Sequence, residues 1–264
     1  MNLIIRRRDD MMKVSYLTNR GKGRKINEDS LLVNDLIVYG TSMSIPDFVT
    51  VESDNTLFVV ADGMGGHAKG ELASRIVIEV LRDNHVPMQS EDDVPKLLRL
   101  AKEALNDQVR RSNEYFGLGT TVAGILIREE KAIIFNCGDS RVYRYKNKAL
   151  EKLTHDHSIV QDYVDYGIIT EEEMRFHNLK NILTASIMGD LRNDIPKVFT
   201  AEITIENAQM YLLCTDGVWG AEGMDDLLKS FMEKDVLKTA NALYAKIMEG
   251  EAADNFSFIV LEAG

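Results

Sequence analysis

Residues 56–61 read TLFVVA, an apolar run too short for a helix and closed by Asp62-Gly63. Such a run predicts a strand buried on both faces. Along 67–82 the apolar residues Leu72, Ala73, Ile76, Val77, Val80 and Leu81 recur at helical spacing, as do Val94, Leu97, Leu98, Ala101, Leu105 and Val109 along 94–109. Two amphipathic helices are therefore expected after the strand. Segments 120–127, 132–137, 141–145 and 149–153 are strand-like and separated by short turn-like stretches, which favours antiparallel pairing. The pattern turns helical again over 158–178, breaks at Gly167 and restarts at Thr170, where Glu173 completes a capping box. Strands are expected at 198–205, 209–215 and 256–261, with helices between the last two, and the chain opens with strand, polar turn and strand over 13–33. A loop is expected at 40–54. No repeat or Pro/Gly-rich linker divides the chain, so residues 13–264 are expected to form one α/β domain of antiparallel sheets covered by helices. Residues 1–12, with Met11 and Met12 at their end, are expected to be a disordered leader.

Charge narrows the function. The chain carries 31 basic and 42 acidic residues, a formal net charge of −11. That balance argues against a nucleic-acid or anionic-membrane surface, which needs clustered Lys and Arg. No stretch reaches membrane-spanning length without charges. Cys137 and Cys214 lie in apolar strand-like runs and are expected to be buried, reduced thiols of a cytoplasmic protein.

Candidate chemistry comes from position. Asp29, Asp62, Asp139, Asp216 and Asp254 all fall at the start or end of an expected strand. One Asp-Gly is an ordinary turn. Five such carboxylates suit hard cations such as Mg²⁺ or Mn²⁺, which select oxygen ligands. Two such ions lower the pKa of a shared water and aim it at phosphorus. Covalent routes lack their parts: neither cysteine has an Arg six positions on, and Asp216 is followed by Gly217 and Val218, not by the second Asp of an Asp-x-Asp. Arg24, four residues before Glu28, is the candidate phosphate clamp, since a guanidinium holds two phosphate oxygens at once. A rival reading takes Gly63, Gly65 and Ala68 as the G-x-G-x-x-A of a dinucleotide-binding turn, with Asp83 beyond. Asp62 would then set a carboxylate beside a pyrophosphate, and no second parallel strand follows.

The blocks RKINEDS (24–30), ADGMGGHAKGELAS (61–74), GTT (119–121), NCGDSRVYR (136–144), LTHDHSIVQDYVDYGIITEEE (153–173), NILT (181–184), LLCTDGVW (212–219) and DNFSFIVL (254–261), in this order, resemble the metal-dependent protein phosphatases, or type 2C serine/threonine phosphatases, of the compact bacterial kind. The resemblance implies a central β-sandwich of two antiparallel sheets flanked by helices, with a small helical flap over about 158–184 beside the active site. It implies Mn²⁺ or Mg²⁺ as cofactor, two ions with a more weakly held third. Asp62 would bridge the two ions, with the Gly63 carbonyl as a further ligand; Asp216 and Asp254 would serve the first and Glu28 and Asp29 the second. Asp139, with Asp216, would hold the third. Substrates would be phosphoproteins made by Ser/Thr kinases in a signalling role, met by a monomer, and a non-catalytic phosphoprotein-binding relative is the alternative. Met64 stands where eukaryotic members carry a candidate general acid, His, so the general acid is unassigned. His67, His155, His157 and His177 are the substitutes to test. Ala185 and Gly220 stand where bacterial relatives often carry Arg and an acidic residue.

Overall fold

A computed structural model describes residues 11–52, 55–65, 69–221 and 224–264. Residues 1–10 of the expected leader, together with His67 and Ala68, lie outside the described residues. Met11 and Met12, assigned to the leader, instead begin β1 (Met11–Asn19), where Met12 is fully buried and paired across to Val51. The chain continues through β2 (Asp29–Val33), β3 (Leu36–Val38), β4 (Asp47–Glu52) and β5 (Thr56–Met64). Helices α1 (Lys69–Asn84) and α2 (Val94–Arg111) follow, then β6 (Gly119–Thr120), β7 (Val122–Arg128), β8 (Lys131–Cys137), β9 (Arg141–Lys146) and β10 (Ala149–Lys152). Next come α3 (Ile159–Asp165), α4 (Glu171–Met174), β11 (Ile187–Met188), β12 (Phe199–Thr204) and β13 (Met210–Cys214). The chain ends with α5 (Asp216–Trp219), α6 (Met224–Ser230), α7 (Val236–Glu249) and β14 (Phe256–Glu262).

Among the described residues these strands form two sheets with antiparallel pairing throughout. One runs β10-β9-β13-β14-β1-β4; in the other β5 lies between β2 and β7, with β3 beyond β2, β8 and β12 beyond β7, and β6, itself paired with β11, on the last two residues of β5. Three apolar layers follow from strand alternation. In β5, Leu57, Val59 and Ala61 meet Ala73, Val77, Leu98 and Leu105 of α1 and α2. Phe58 and Val60 point the other way, into the inter-sheet core with Val14, Tyr211 and Ile259. Burial on both faces explains why β5 is apolar without alternation. The third layer lies outside the other sheet, where Leu212, Phe256 and Phe258 pack on Leu227, Leu243 and Ile247 of α6 and α7. The result is the expected sandwich of two antiparallel sheets with helices on both sides.

Two further expectations are corrected. Segment 40–54 is not wholly a loop: β4 pairs with β1 at the edge of the sheet. Its side chains are mostly exposed, so it lacks the apolar signal of a core strand. The buried strand does not stop before Asp62 either. It runs on to Met64, because β2 places Asp29 opposite Asp62 and β6 pairs with Gly63 and Met64. The flap folds as expected in outline. Ser158 caps α3 and Thr170 caps α4 through the Thr170–Glu173 capping box. Its two ends meet where the Ile159 N–H donates to the Ile182 carbonyl at 3.0 Å and the Thr184 N–H to that of His157 at 2.9 Å.

A carboxylate cleft at one end of the sandwich

Alternation alone sends the first two carboxylates to one place. Phe58 and Val60 face the inter-sheet core, so Asp62, two residues further, continues the same face at its end. Asp29 does the same at the start of β2, two residues before Leu31 and four before Val33, directly opposite Asp62. Ser257, which precedes the inward-facing Ile259 by two, meets Asp29 from the other sheet: its Oγ donates to Asp29 Oδ2 at 2.6 Å, and Thr215 Oγ1 donates to the same oxygen at 3.0 Å.

The remaining carboxylates arrive on loops. Asp139 sits in the turn between β8 and β9, Asp216 opens α5, and Asp254 precedes β14. A cleft of about 560 Å³ is lined by Arg24, Glu28, Asp62, Gly63, Asp139, Asp216 and Asp254, with Met64, Thr121, Asn181 and Ile182 among its other walls. Of the expected site residues only Asp29 stands behind this surface, fully buried. No three Asp, Glu, His or Cys side chains among the described residues close around a single point; the carboxylates ring the cleft instead.

Close backbone approach shapes the wall. A Cβ on Gly63 would stand 2.1 Å from the Gly70 carbonyl oxygen and 2.5 Å from that of Glu28, and one on Gly217 would stand 1.9 Å from that of Asn255. Glycine is therefore required at both. Gly63→Ala is expected to lower both the melting temperature and turnover, measured by thermal unfolding and steady-state kinetics on the same preparation.

Electrostatics set the carboxylates of the cleft against one another. Burial pushes the Asp29 carboxyl up to about 7, against the Ser257 hydrogen bond and with the help of Asp216. Asp62 is held well above the usual carboxylate range by burial and then by Asp29, Asp216, Asp139 and Asp254. Asp139 is raised by burial and Asp216, and Asp216 by burial and Asp254. Burial also raises Glu28, with the Gly70 N–H acting against it. The neighbouring Asp216 opposes ionisation of Asp62, so the pair is eased by a proton. A divalent cation replaces such a proton with two charges. Among the described residues the buried oxygens Glu28 Oε1, Asp29 Oδ1 and Asp216 Oδ1 have no hydrogen-bond partner. Orphaned, crowded oxygens with no sulfur or nitrogen among them fit a hard cation.

Arg24 reaches the rim, where its Nη2 donates to Asp254 Oδ2 at 2.7 Å with its side chain half exposed. The thiols of Cys137 and Cys214 are buried and free, with their pKa values pushed up by that burial. Among the described residues no histidine lines the cleft. His155 pairs with Asp165 at 3.0 Å, and the N–H of Leu179 donates to His177 Nδ1. His157 accepts the Gly138 N–H at 3.1 Å and is pushed down to about 4 by burial, so it is neutral at pH 7.

Some supporting residues carried no signal of their own. Asn255 Oδ1 accepts the Glu28 N–H at 2.9 Å, while its Nδ2 donates to the Arg20 and Ile26 carbonyls, stapling the loop that bears Arg24 and Glu28. Thr121 fixes Asp62 by donating its N–H to the Asp62 carbonyl at 2.9 Å, and Thr120 Oγ1 donates to the same carbonyl at 2.8 Å. Their presence in the ordered blocks DNFSFIVL and GTT was the available hint.

Residues 46–255 match the family model described as Protein phosphatase 2C. The serine/threonine phosphatase stp of Listeria welshimeri is 27% identical, over 95% of this chain and 96% of its own. The crystal structure of the Mycobacterium tuberculosis serine/threonine phosphatase PstP/Ppp superposes with a TM-score of 0.80 at 27% identity, covering 96% of this chain and 98% of that one. The catalytic domain of PstP in complex with two manganese ions gives a TM-score of 0.76 at 25% identity, again over 96% and 98% of the two chains. Fold, ordered motifs and carboxylate cleft agree with these relatives: the chain belongs to the protein phosphatase 2C family of metal-dependent serine/threonine phosphatases.

Proposed function

We propose that this chain hydrolyses phosphoserine and phosphothreonine in proteins at the carboxylate cleft, with Mn²⁺ or Mg²⁺ as cofactor. The observation that carries it is the ring of electrostatically coupled carboxylates, several with orphaned oxygens, around one cleft. Asp62 would bridge two ions, joined by the Gly63 carbonyl, with Asp216 and Asp254 on the first and Glu28 and Asp29 serving the second. Asp139, with Asp216, would hold a weaker third. When bound, the ions supply Lewis-acid charge and lower the pKa of water. The protein's own part is placement. Thr121 and Thr120 fix the Asp62 backbone, Asn255 fixes Glu28, and Ser257 with Thr215 fixes Asp29. Arg24 is the one cationic side chain in the lining of this cleft among the described residues and would hold two phosphate oxygens.

Substrates would be the products of Ser/Thr kinases, bound with the flap alongside, in a cytoplasmic monomer acting in signalling. No helix among the described residues is long and apolar enough to cross a membrane. Steady-state kinetics on a phosphothreonine peptide with Mn²⁺ test the clamp. Arg24→Ala is expected to raise KM about tenfold with a smaller loss in kcat, and Arg24→Lys to recover part of it. An unchanged KM in Arg24→Ala would remove Arg24 from phosphate binding, and absence of hydrolysis by the wild type would remove the activity itself.

A further inference from the structure

One buried cluster joins two of the cleft carboxylates through the body of the protein. α5 is a single turn, begun by Asp216 and ended by Trp219, so one turn of backbone carries both side chains. Trp219, the only tryptophan in the chain, is 4% exposed. Its Nε1–H donates to the Asp139 carbonyl at 3.0 Å. The guanidinium carbon of Arg141 stands 3.6 Å from the centre of the indole ring.

Arg141 is itself fixed. Its Nε donates to Asp156 Oδ1 and Oδ2 at 3.1 and 2.9 Å, its Nη2 to Asp156 Oδ2 at 2.5 Å and its Nη1 to the Tyr143 hydroxyl at 2.9 Å. Arg141 follows Asp139 by two residues, so the indole is gripped by the turn that carries Asp139: by a hydrogen bond at the carbonyl and by a stacked cation just beyond it. Apolar packing alone would need neither contact. A hydrogen bond aimed at one ligand residue, from the turn that carries another, sets the distance between the two, and such partners tune metal affinity by about ten- to a hundredfold.

We propose that Trp219 is the positioning residue of the Asp139 and Asp216 pair: its hydrogen bond and its place at the end of the Asp216 turn set the spacing at which these two carboxylates share a divalent cation. The proposal rests on the reading that Asp139 and Asp216 hold the third, weakest ion. Because Trp219 also walls a second cleft of about 360 Å³ that shares Asp216 and Asp254 with the first, it is the chain's built-in optical reporter of that site.

The test is Mn²⁺ titration of the full chain after chelator treatment, with free Mn²⁺ counted by electron paramagnetic resonance and Trp219 emission followed in parallel. Trp219→Phe keeps a ring for Arg141 and loses the N–H. It is expected to leave the tight sites unchanged and to weaken the last site about tenfold. In the wild type, Trp219 emission is expected to show a quenching phase at the same weak affinity, absent in Asp139→Asn. Leu243→Ala, which opens the same apolar layer away from the cleft, is expected to lower the melting temperature without moving the weak site. A weak site equally strong in Trp219→Phe, or equally weakened in Leu243→Ala, overturns the positioning role while leaving the assignment of Asp139 intact. A wild type that binds only two ions, with Asp139→Asn indistinguishable from it, overturns that assignment and the proposal together.

Discussion

Asp62→Asn is expected to move stability and turnover in opposite directions. With chelator present, the substituted protein should melt higher than the wild type, by about 2 to 4 °C if about 1 to 2 kcal/mol of repulsion and desolvation is relieved. The amide keeps the size of the side chain and removes the charge that burial, Asp29, Asp216, Asp139 and Asp254 all oppose. With Mn²⁺ present, phosphatase activity should fall on the order of 10³-fold, because an amide oxygen is a poor bridge between two cations. Thermal unfolding in chelator and steady-state hydrolysis in Mn²⁺ check the two halves. An ordinary core aspartate would lose stability on the same change, so a lower melting temperature without metal would contradict a carboxylate kept for cation binding.

Without metal, the wild type should lose stability as pH rises from about 4 to about 7, which inverts the usual behaviour of a protein rich in surface ion pairs. The sign follows from proton counts. Asp29 titrates near 7 in the folded chain and at an ordinary carboxyl value of 3.8 unfolded, so between these pH values the folded state holds the extra proton. Its contribution is complete below 3.8 and gone above about 7. Glu28, Asp62, Asp139 and Asp216 are shifted in the same direction. His157 opposes them, since its folded value near 4 lies below the ordinary 6.5 and it gains stability as pH rises through that range. Asp93, pushed down to about 2 by Lys96, acts below the window. Five carboxyl groups against one imidazole set the net direction. Mn²⁺ should add stability that grows across the same window, because ion and proton compete for the same oxygens. Melting temperatures at about pH 5 and about pH 8, each with chelator and with Mn²⁺, measure both effects.

Much of this site was legible because strand alternation is local. TLFVVA marked β5, and the period of two carried Asp62 to the inner face; the same logic placed Asp29 just before a second apolar run. What escaped depended on partners far along the chain. β5 runs past Asp62 because β6, more than fifty residues later, supplies pairing for Gly63 and Met64. The hold of Asn255 on Glu28 joins residues 227 apart, and a lone Asn carries no periodicity to betray it. β4 escaped for a different reason, since an exposed edge strand needs no apolar face. The clamp of Trp219 on Asp139 joins a turn to a helix 80 positions on, and only the fold brings them together.

Turnover that belongs to cations held by this carboxylate cleft must stop when those cations are removed. The most direct measurement is phosphate release from a phosphothreonine peptide by the wild type and by Asp216→Ala, each with Mn²⁺ and with excess chelator. The expected result is release by the wild type only with Mn²⁺, restored when Mn²⁺ is returned after chelation, and near-background release by Asp216→Ala throughout. Release that survives the chelator, or an Asp216→Ala protein as active as the wild type, would contradict it.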